Sequence, residues 1–133
     1  MLTDKAKFPE KAHETDACFD LFSLKPITVA AGGQALITTG IAFNIPSGYF
    51  GKIYERSGLS IQRPLIVKAG VIDAGYTGEI QIVVFNHGDM PEKIDAGTKL
   101  AQIAIQKLPD IILIKVDEFE KTDRGEKGFG STD

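Results

Sequence analysis

Residues 79–86 have the sequence EIQIVVFN, a run without glycine or proline. The even-numbered positions from 80 to 84 are isoleucine, isoleucine and valine, and the odd-numbered positions from 81 to 85 are glutamine, valine and phenylalanine. Successive side chains of a strand point to opposite faces, so both faces of this segment are largely apolar. A strand with two apolar faces lies inside a packed structure, because a surface strand keeps one polar face. The segment therefore predicts a central β-strand.

Short runs of β-branched and aromatic residues recur on both sides of this strand, separated by Gly, Pro, Asn and Asp. Together with the central strand, they predict strands at residues 27–31, 34–45, 49–55, 65–68, 79–86, 99–107 and 111–116. No long stretch has a helical period, and the best candidate for a helix is one or two turns at Ser57–Gln62. Many short strands joined by tight turns are typical of an all-β sandwich or barrel.

The composition limits the classes of protein to which the chain can belong. With 133 residues, of which 43% are hydrophobic, the chain is long enough for one domain with a packed core. We expect no signal peptide and no membrane contact, because no apolar run reaches the length of a membrane span. The net charge of −3 predicts no broad basic surface for nucleic acid, so a bound anion must be held by a local group of donors.

Cys18 is the only cysteine, which excludes an intrachain disulfide and any metal site built from several cysteines. A chain without disulfides fits a reducing compartment. We therefore expect a protein of the cytoplasm or nucleus, in the host cell if the source is a virus.

The last ten residues, 124–133, have the sequence RGEKGFGSTD and differ in composition from the rest of the chain. Glycines let backbone N–H groups approach a ligand closely, and Arg124 offers a planar guanidinium that suits a phosphate. Ser131 and Thr132 add hydroxyl groups, and Phe129 adds a flat ring for a base. The tail is either a flap over a nucleotide or a solvated chain end. We expect a body of residues 1–120 and a lid over the active site formed by residues 121–133.

Two segments in the first half of the chain carry polar residues in positions that suit chemistry. In DACFDLFS, residues 16–23, Asp20 lies within an apolar run and faces either solvent or a metal–phosphate complex. In ERSGLS, residues 55–60, Arg56 and Ser57 precede or open the predicted helix, where backbone N–H groups favour an anion. The alternative for the second segment is an ordinary helix start with a surface arginine.

Two further segments follow in the second half. AGVIDAGYTGEI, residues 69–80, combines Asp73 at a strand end with Tyr76 in a turn between two glycines. This pattern suits either a nucleotide site or a hairpin whose tyrosine closes the edge of the core. In GTKLAQIAI, residues 97–105, Gln102 lies among apolar residues and therefore faces solvent or needs hydrogen-bond partners.

Taken together and in this order, the five segments resemble the trimeric dUTPase family, the deoxyuridine triphosphate nucleotidohydrolases. The resemblance extends from residue 16 to residue 132, almost the whole chain. It implies an all-β fold, a β-sandwich of jelly-roll-like (β-clip) topology with at most one short helix. It also implies a homotrimer whose active sites lie at subunit interfaces, each closed by the tail of a third subunit.

The resemblance also implies a reaction, the Mg²⁺-dependent hydrolysis of dUTP to dUMP and pyrophosphate. This reaction keeps uracil out of DNA and supplies dUMP for dTMP synthesis. Asp73 matches the aspartate that orients and deprotonates the attacking water. Tyr76 matches the tyrosine that packs on the deoxyribose and excludes a 2′-hydroxyl, and Asp20 matches a carboxylate linked to Mg²⁺ through water.

The other residues matched to the family are implied to bind the substrate. Phosphate contacts are matched by Arg56, Ser57 and Gln102. The turn at residues 69–70 matches backbone that recognises the uracil edge. Phe129 matches the ring that stacks on uracil, and the tail arginine, serine and threonine match residues that hold the γ-phosphate. The full implied set is Arg56, Ser57, Gly58, Ala69, Gly70, Ile72, Tyr76, Gln102, Arg124, Phe129, Gly130, Ser131 and Thr132.

Four positions depart from the usual family pattern without removing a residue that has a chemical role. They are Cys18, Glu55, Gly75 and Lys127. Two other functions remain open. A dCTP deaminase shares the fold, but its catalytic glutamate would align with Val83, which cannot transfer a proton. A non-catalytic binding protein on the same scaffold would be favoured by loss of Asp73 or of the tail, and both are present.

Overall fold

The computed structural model describes residues 1–68, 70–126 and 128, and these residues form nine strands and one short helix. In chain order the elements are β1 (Phe19–Phe22), β2 (Ile27–Val29), β3 (Gln34–Thr38), β4 (Tyr49–Tyr54), α1 (Ser57–Gln62), β5 (Leu65–Lys68), β6 (Val71–Ile72), β7 (Gln81–Asn86), β8 (Glu92–Ile94) and β9 (Lys99–Lys107). The expectation of an all-β fold with at most one short helix is confirmed. None of the helices in the described part of the chain has the length and apolarity needed to cross a membrane.

Three antiparallel sheets make up the molecule, with strand orders β1-β9-β4-β6, β2-β8 and β3-β7-β5. β7 lies between two neighbours, as its two apolar faces predict. One apolar cluster draws side chains from all three sheets and from the helix, so the sheets share a single core. Its members are Leu21, Val29, Ile37, Ile53, Leu59, Leu65, Ile80, Ile82, Val84, Ile94, Leu100, Ala101 and Ile103.

Four predicted strands are shorter in the structure. Those predicted at residues 27–31 and 49–55 end at Val29 and Tyr54. The strand predicted at residues 34–45 ends at Thr38, because Gly40 adopts a left-handed conformation with φ of 70° that a strand cannot continue. The strand predicted at residues 79–86 starts at Gln81. Before it, the Ile80 N–H donates to the Ile41 carbonyl at 2.7 Å, and the Glu79 side chain accepts a hydrogen bond from the Gly40 N–H at 2.7 Å.

The strand predicted at residues 111–116 is wrong for the single chain. This stretch is irregular, and every described residue from 107 onward is exposed. Leu113, for example, is 93% exposed. An apolar strand needs a partner strand and a core to cover it, and the described residues of this chain provide neither. Conversely, β1, β6 and β8 are absent from the predicted strands; each has only two to four residues.

Candidate active site

Three of the five sequence segments meet at one open cavity of about 350 Å³ at an end of the sheet that contains β1, β9 and β4. The register of β9 causes this meeting, because Gln102 pairs with Asp20 of β1 on one side and with Tyr54 of β4 on the other. Arg56 follows two residues after the end of β4. The cavity wall consists of Ala12, Asp16, Ala17, Cys18, Asp20, Arg56, Ser57, Gly58 and Gln102.

Asp20 is buried, with 10% of its side chain exposed, and two cations contact its carboxylate. The Nε–H of Arg56 donates to Oδ1 at 2.7 Å, and Nζ of Lys99 lies 2.8 Å from Oδ2. The hydrogen bond to Asp20 raises the pKa of Lys99 above its ordinary value. The solvent-facing alternative for Asp20 is therefore wrong, and the burial of this carboxylate is stabilised by paired charges.

Gln102 and Gly58 contribute to the cavity in different ways. The side-chain amide Nε2 of Gln102 donates to the backbone oxygen of Glu55 at 2.7 Å, which fixes the amide next to the segment that carries Arg56. A Cβ atom on Gly58 would meet no atom within 4 Å, so packing does not require glycine there. The missing side chain instead leaves this part of the cavity wall open to a ligand.

Cys18 lies on the same cavity wall and is partly buried. Desolvation by burial raises the pKa of its thiol above the ordinary value, because it disfavours the charged thiolate. Cys18 therefore acts in the structure as a neutral, small wall residue.

The cavity suits a divalent cation only when a ligand supplies most of the coordinating oxygens. Among the residues that the structure describes, no group of three or more His, Cys, Asp or Glu side chains is placed to hold a metal ion. Asp20 uses one lone pair of each oxygen for Arg56 and Lys99, and a carboxylate has about four such sites. It can therefore still accept hydrogen bonds from metal-bound water, an arrangement that Mg²⁺ favours with phosphates.

A second cavity, of about 250 Å³, contains the residues expected to act on the water and the sugar. β6 pairs with β4 through Val71 and Ile72, and Asp73 follows it at the start of a turn. The Tyr76 N–H donates to the Asp73 carbonyl at 3.2 Å, and Gly75 adopts φ of 86° between them. The described wall residues are Leu36, Val71, Ile72, Asp73, Tyr76, Glu79 and Gln81.

Tyr76 is fixed within this turn although its side chain is 46% exposed. Its hydroxyl donates to the backbone oxygen of Glu79 at 3.0 Å. Its ring occupies the space beside Gly78, where an added Cβ would lie 2.6 Å from the tyrosine oxygen. The hairpin alternative placed this ring at the edge of the core. In the structure the ring instead lies at the surface of the cavity.

Gly70 has a structural reason to be glycine. The Ile53 N–H donates to the Gly70 carbonyl at 2.8 Å, and a Cβ on Gly70 would lie 3.0 Å from the Ile53 carbonyl oxygen. This close approach of the two backbones accompanies the pairing of β6 with β4. Any contact of Gly70 with a ligand comes in addition to this role.

The two cavities lie at different positions along the direction of β4. Ile72 pairs with Gly51, whereas Arg56 lies five residues further along the extended chain, which corresponds to roughly 17 Å at about 3.3 Å per residue. One chain thus brings Asp20, Arg56 and Gln102 together, and brings Asp73 and Tyr76 together elsewhere. It does not place both groups around one ligand.

The tail residues are placed only in part. Arg124 lies in an exposed stretch, and the Gly125 N–H donates to the hydroxyl of Thr122 at 3.1 Å. The other expected tail contacts and one residue of the uracil turn lie outside the described residues: Ala69, Phe129, Gly130, Ser131 and Thr132. Lys127, a departure from the family pattern, lies outside them as well.

Lys99 and Glu10 belong to the charged group around Asp20 but were not predicted from the sequence. Nζ of Lys99 lies 3.5 Å from Oε1 of Glu10, and the Asp20 N–H donates to the Glu10 carbonyl at 2.7 Å. The lysine of GTKLAQIAI was a usable signal, because a buried carboxylate needs cations nearby. No sequence pattern indicated Glu10, since its isolated bridge to Asp20 depends on the path of the N-terminal segment.

Comparison with known proteins finds related sequences over almost the whole chain. The dUTPase family model matches residues 4–133. The deoxyuridine 5'-triphosphate nucleotidohydrolase of Candida albicans is 40% identical over 130 residues, which cover 96% of this chain and 82% of that protein.

Solved structures give the same result. The Staphylococcus bacteriophage 80alpha dUTPase with dUpNHpp matches with a TM-score of 0.94 and 33% identity, covering 100% of this chain and 95% of that one. A mutant dUTPase from phage phi11 of S. aureus, whose structure reveals the coordination of a structural Mg(II) ion, has a TM-score of 0.83 and 32% identity, with 90% and 95% covered. These neighbours confirm the expected fold. On its sequence, its fold and the order of its site segments, the chain belongs to the dUTPase family.

Proposed function

We propose that this protein is a dUTP diphosphatase, which hydrolyses dUTP to dUMP and pyrophosphate and depends on Mg²⁺. Family membership and the similarity to a phage dUTPase with bound dUpNHpp support the substrate. The biological role would be to keep uracil out of DNA and to supply dUMP for dTMP synthesis. We expect this activity in the cytoplasm or the nucleus.

The observation that carries the proposal is the separation of two half-sites along β4. Phosphate-binding side chains surround one cavity, and the candidate base Asp73 lies at another, roughly 17 Å away along the strand. A complete site therefore needs the Asp73 cavity of one chain to face the Arg56 cavity of another. Such shared sites are natural in cyclic oligomers, where the same two surfaces meet at every interface. We therefore propose a homotrimer with shared active sites.

The exposed apolar stretch after β9 supports association of several chains. Ile111, Ile112, Leu113 and Ile114 are between 69% and 93% exposed in the single chain. Such a run of exposed apolar residues marks an interface in a folded protein, because its burial is worth about 25 cal/mol per Å². The strand expected at residues 111–116 then forms only in the assembly.

In the proposed mechanism, Arg56, Ser57 and Gln102 hold the phosphates, with Gly58 leaving room for them. Asp73 orients a water for attack on the α-phosphorus and accepts its proton. A Mg²⁺ ion, when bound, would supply charge neutralisation for the phosphates. Phosphoryl chemistry of this kind depends on positioning and charge neutralisation more than on covalent catalysis. Asp20 would hold the Mg²⁺ through water.

The base and sugar are recognised at the Asp73 cavity in this proposal. Backbone at residues 69–72, including Gly70 and Ile72, binds the uracil edge, and the ring of Tyr76 fills the space of a 2′-hydroxyl. Residues 121–133 form the lid. Within the lid, Phe129 stacks on uracil, and Gly130 allows the close approach of the chain. Arg124, Ser131 and Thr132 hold the γ-phosphate.

A substrate panel tests the proposal directly. Release of pyrophosphate is measured from dUTP, dTTP, dCTP and UTP, with Mg²⁺ and with the metal removed by a chelator. We expect turnover of dUTP alone, and only with the metal. Ammonia release from dCTP would instead support the deaminase alternative, and tight dUTP binding without turnover would support a non-catalytic protein.

A further inference from the structure

Lys99 contacts two residues of the phosphate cavity without forming part of its wall, as the described residues define that wall. Its ammonium lies 2.8 Å from Oδ2 of Asp20, and its carbonyl oxygen accepts a hydrogen bond from Nη1 of Arg56 at 3.5 Å. Asp20 and Arg56 are themselves paired at 2.7 Å. Lys99 therefore contacts both partners of this ion pair without lining the cavity.

The carboxylate of Asp20 receives Arg56 at a single oxygen. Nε of Arg56 donates to Oδ1, whereas Oδ2 is occupied by Lys99. A guanidinium has five N–H donors, of which these contacts use two, one at Asp20 and one at the Lys99 carbonyl. The remaining donors are available to a ligand in the cavity that Arg56 lines.

We propose that Lys99 is a positioning residue for phosphate binding: by occupying Oδ2 of Asp20, it keeps Arg56 singly paired and its free N–H groups directed at the ligand. This inference rests on the proposed role of Arg56 as a phosphate contact. Oδ2 keeps a second lone pair, but the ammonium competes with Arg56 for this oxygen. Without the ammonium, an arginine and a carboxylate favour a two-pronged pair. That pair would withdraw N–H groups from the phosphate.

Glu10 completes the arrangement on the far side of Lys99. Its Oε1 lies 3.5 Å from the Lys99 ammonium, and its side chain is half exposed. An exposed pair at this distance contributes little, so Glu10 has at most a small part in directing the lysine. We therefore expect substitution of Lys99 to weaken phosphate binding strongly and substitution of Glu10 to weaken it only slightly.

The test uses the full-length protein and two readouts, calorimetric binding of inorganic triphosphate and steady-state hydrolysis of dUTP. We expect Lys99→Met to weaken triphosphate binding and raise KM by roughly tenfold or more, since a charge-assisted contact is lost. We expect Lys99→Arg to restore most of the wild-type value, and Glu10→Gln to change it less than about threefold.

Lys93 provides a matched control. Its ammonium pairs with Oδ1 of Asp95 at 2.9 Å, and neither residue lines the phosphate cavity. Lys93→Met removes a lysine from a carboxylate pair just as Lys99→Met does, and it should leave both readouts unchanged. An equal loss in the two variants would overturn the proposal.

A double-variant cycle separates positioning from a direct phosphate contact. If Lys99 acts through Arg56, then Lys99→Met should cost less than about twofold in kcat/KM when it is added to Arg56→Lys. Full additivity would show that Lys99 binds the ligand by itself and would overturn the proposal. Wild-type triphosphate binding in Lys99→Met would do the same.

Folding is followed by thermal melting, with Lys99→Gln as a second neutral variant. Failure of both neutral variants to fold would also count against the proposal, because Lys99 would then be primarily structural. The experiment distinguishes a failure of the proposed function from a failure of the proposed role of Lys99. Wild-type protein without dUTP hydrolysis contradicts the proposed function, whereas an active wild type with an equally competent Lys99→Met contradicts only the role of Lys99.

Discussion

Tyr76 is positioned by the absence of a side chain at Gly78. The ring occupies the space that a Cβ at Gly78 would need, and the tyrosine hydroxyl donates to the Glu79 carbonyl at 3.0 Å. A partly exposed ring moves at little cost in stability, because few of its contacts are buried. The position of the ring is therefore more sensitive to substitution than the stability of the fold.

This gives a prediction about sugar selection. Gly78→Ala should displace the Tyr76 ring and lower the ratio of kcat/KM for dUTP over UTP by roughly tenfold or more, as Tyr76→Ala should. Thermal stability should change little. Tyr76→Phe is the control, since it keeps the ring and loses only the bond to Glu79. An unchanged ratio in Gly78→Ala would mean that the ring does not select the sugar.

Asp73 allows a second prediction at the scale of one residue. Asp73→Asn keeps the size of the side chain and its hydrogen bonding but cannot accept a proton near neutral pH. Loss of a general base typically costs about 10²–10⁴-fold in rate. We expect kcat to fall by that factor while binding of dUpNHpp, measured by calorimetry, stays within a few fold. Wild-type kcat would exclude Asp73 as the base.

At the scale of elements, Asn86 connects the end of β7 to its neighbours. Its Nδ2 donates to the Val29 carbonyl at 3.1 Å and to the Met90 carbonyl at 2.8 Å. Its Oδ1 accepts from the Gly88 N–H at 3.0 Å, and the residue is fully buried. The amide of Asn86 therefore forms hydrogen bonds both with β2 and with the turn before β8.

Replacement of Asn86 should consequently lower the stability of the fold rather than impair catalysis directly. Asn86→Ala leaves buried carbonyl and N–H groups without partners and should lower the free energy of unfolding by about 2–4 kcal/mol. Chemical denaturation measures this change. Asn44→Ala, at an exposed position, is the control and should alter it by less than about 0.5 kcal/mol. Equal stability of the two variants would contradict the role of the buried amide.

The tail provides a prediction for a whole segment. Truncation after Lys121 removes residues 122–133, and the described residues among them, 122–126 and 128, are all exposed. We expect the melting temperature without ligand to change by only a few degrees, whereas turnover should fall steeply because a lid excludes water and orders the substrate. Wild-type turnover of the truncated protein would show that residues 121–133 are not a lid.

At the scale of the whole molecule, the proposed active site takes its two halves from different chains. Mixing two inactive variants tests this, with Asp73→Asn in one and Arg56→Ala in the other. If each site takes Asp73 from one subunit and Arg56 from its neighbour, an equal mixture reassembled at random should regain about one quarter of the sites. Activity is measured after denaturation and refolding of the mixture. No recovery, with trimers present by light scattering, would contradict shared sites.

Much of the fold could be read from local patterns. The two apolar faces at residues 79–86 indicated a central strand, and Ser57–Gln62 was assigned as the helix with its observed bounds. The five segments, taken in order, indicated the family, although each segment alone also fits an ordinary structural role. These features are short-range in sequence, and a pattern analysis sees them directly.

Tertiary structure decided the partners of each segment. The burial of Asp20 between Arg56 and Lys99 follows from the register of β1 on β9, which the sequence does not encode locally. The end of β3 near Gly40 likewise depends on Glu79, a residue 39 positions away. Residues 111–116 have a strand pattern but no partner strand in the described chain, since a β-strand is stabilised by its neighbours rather than by its own sequence.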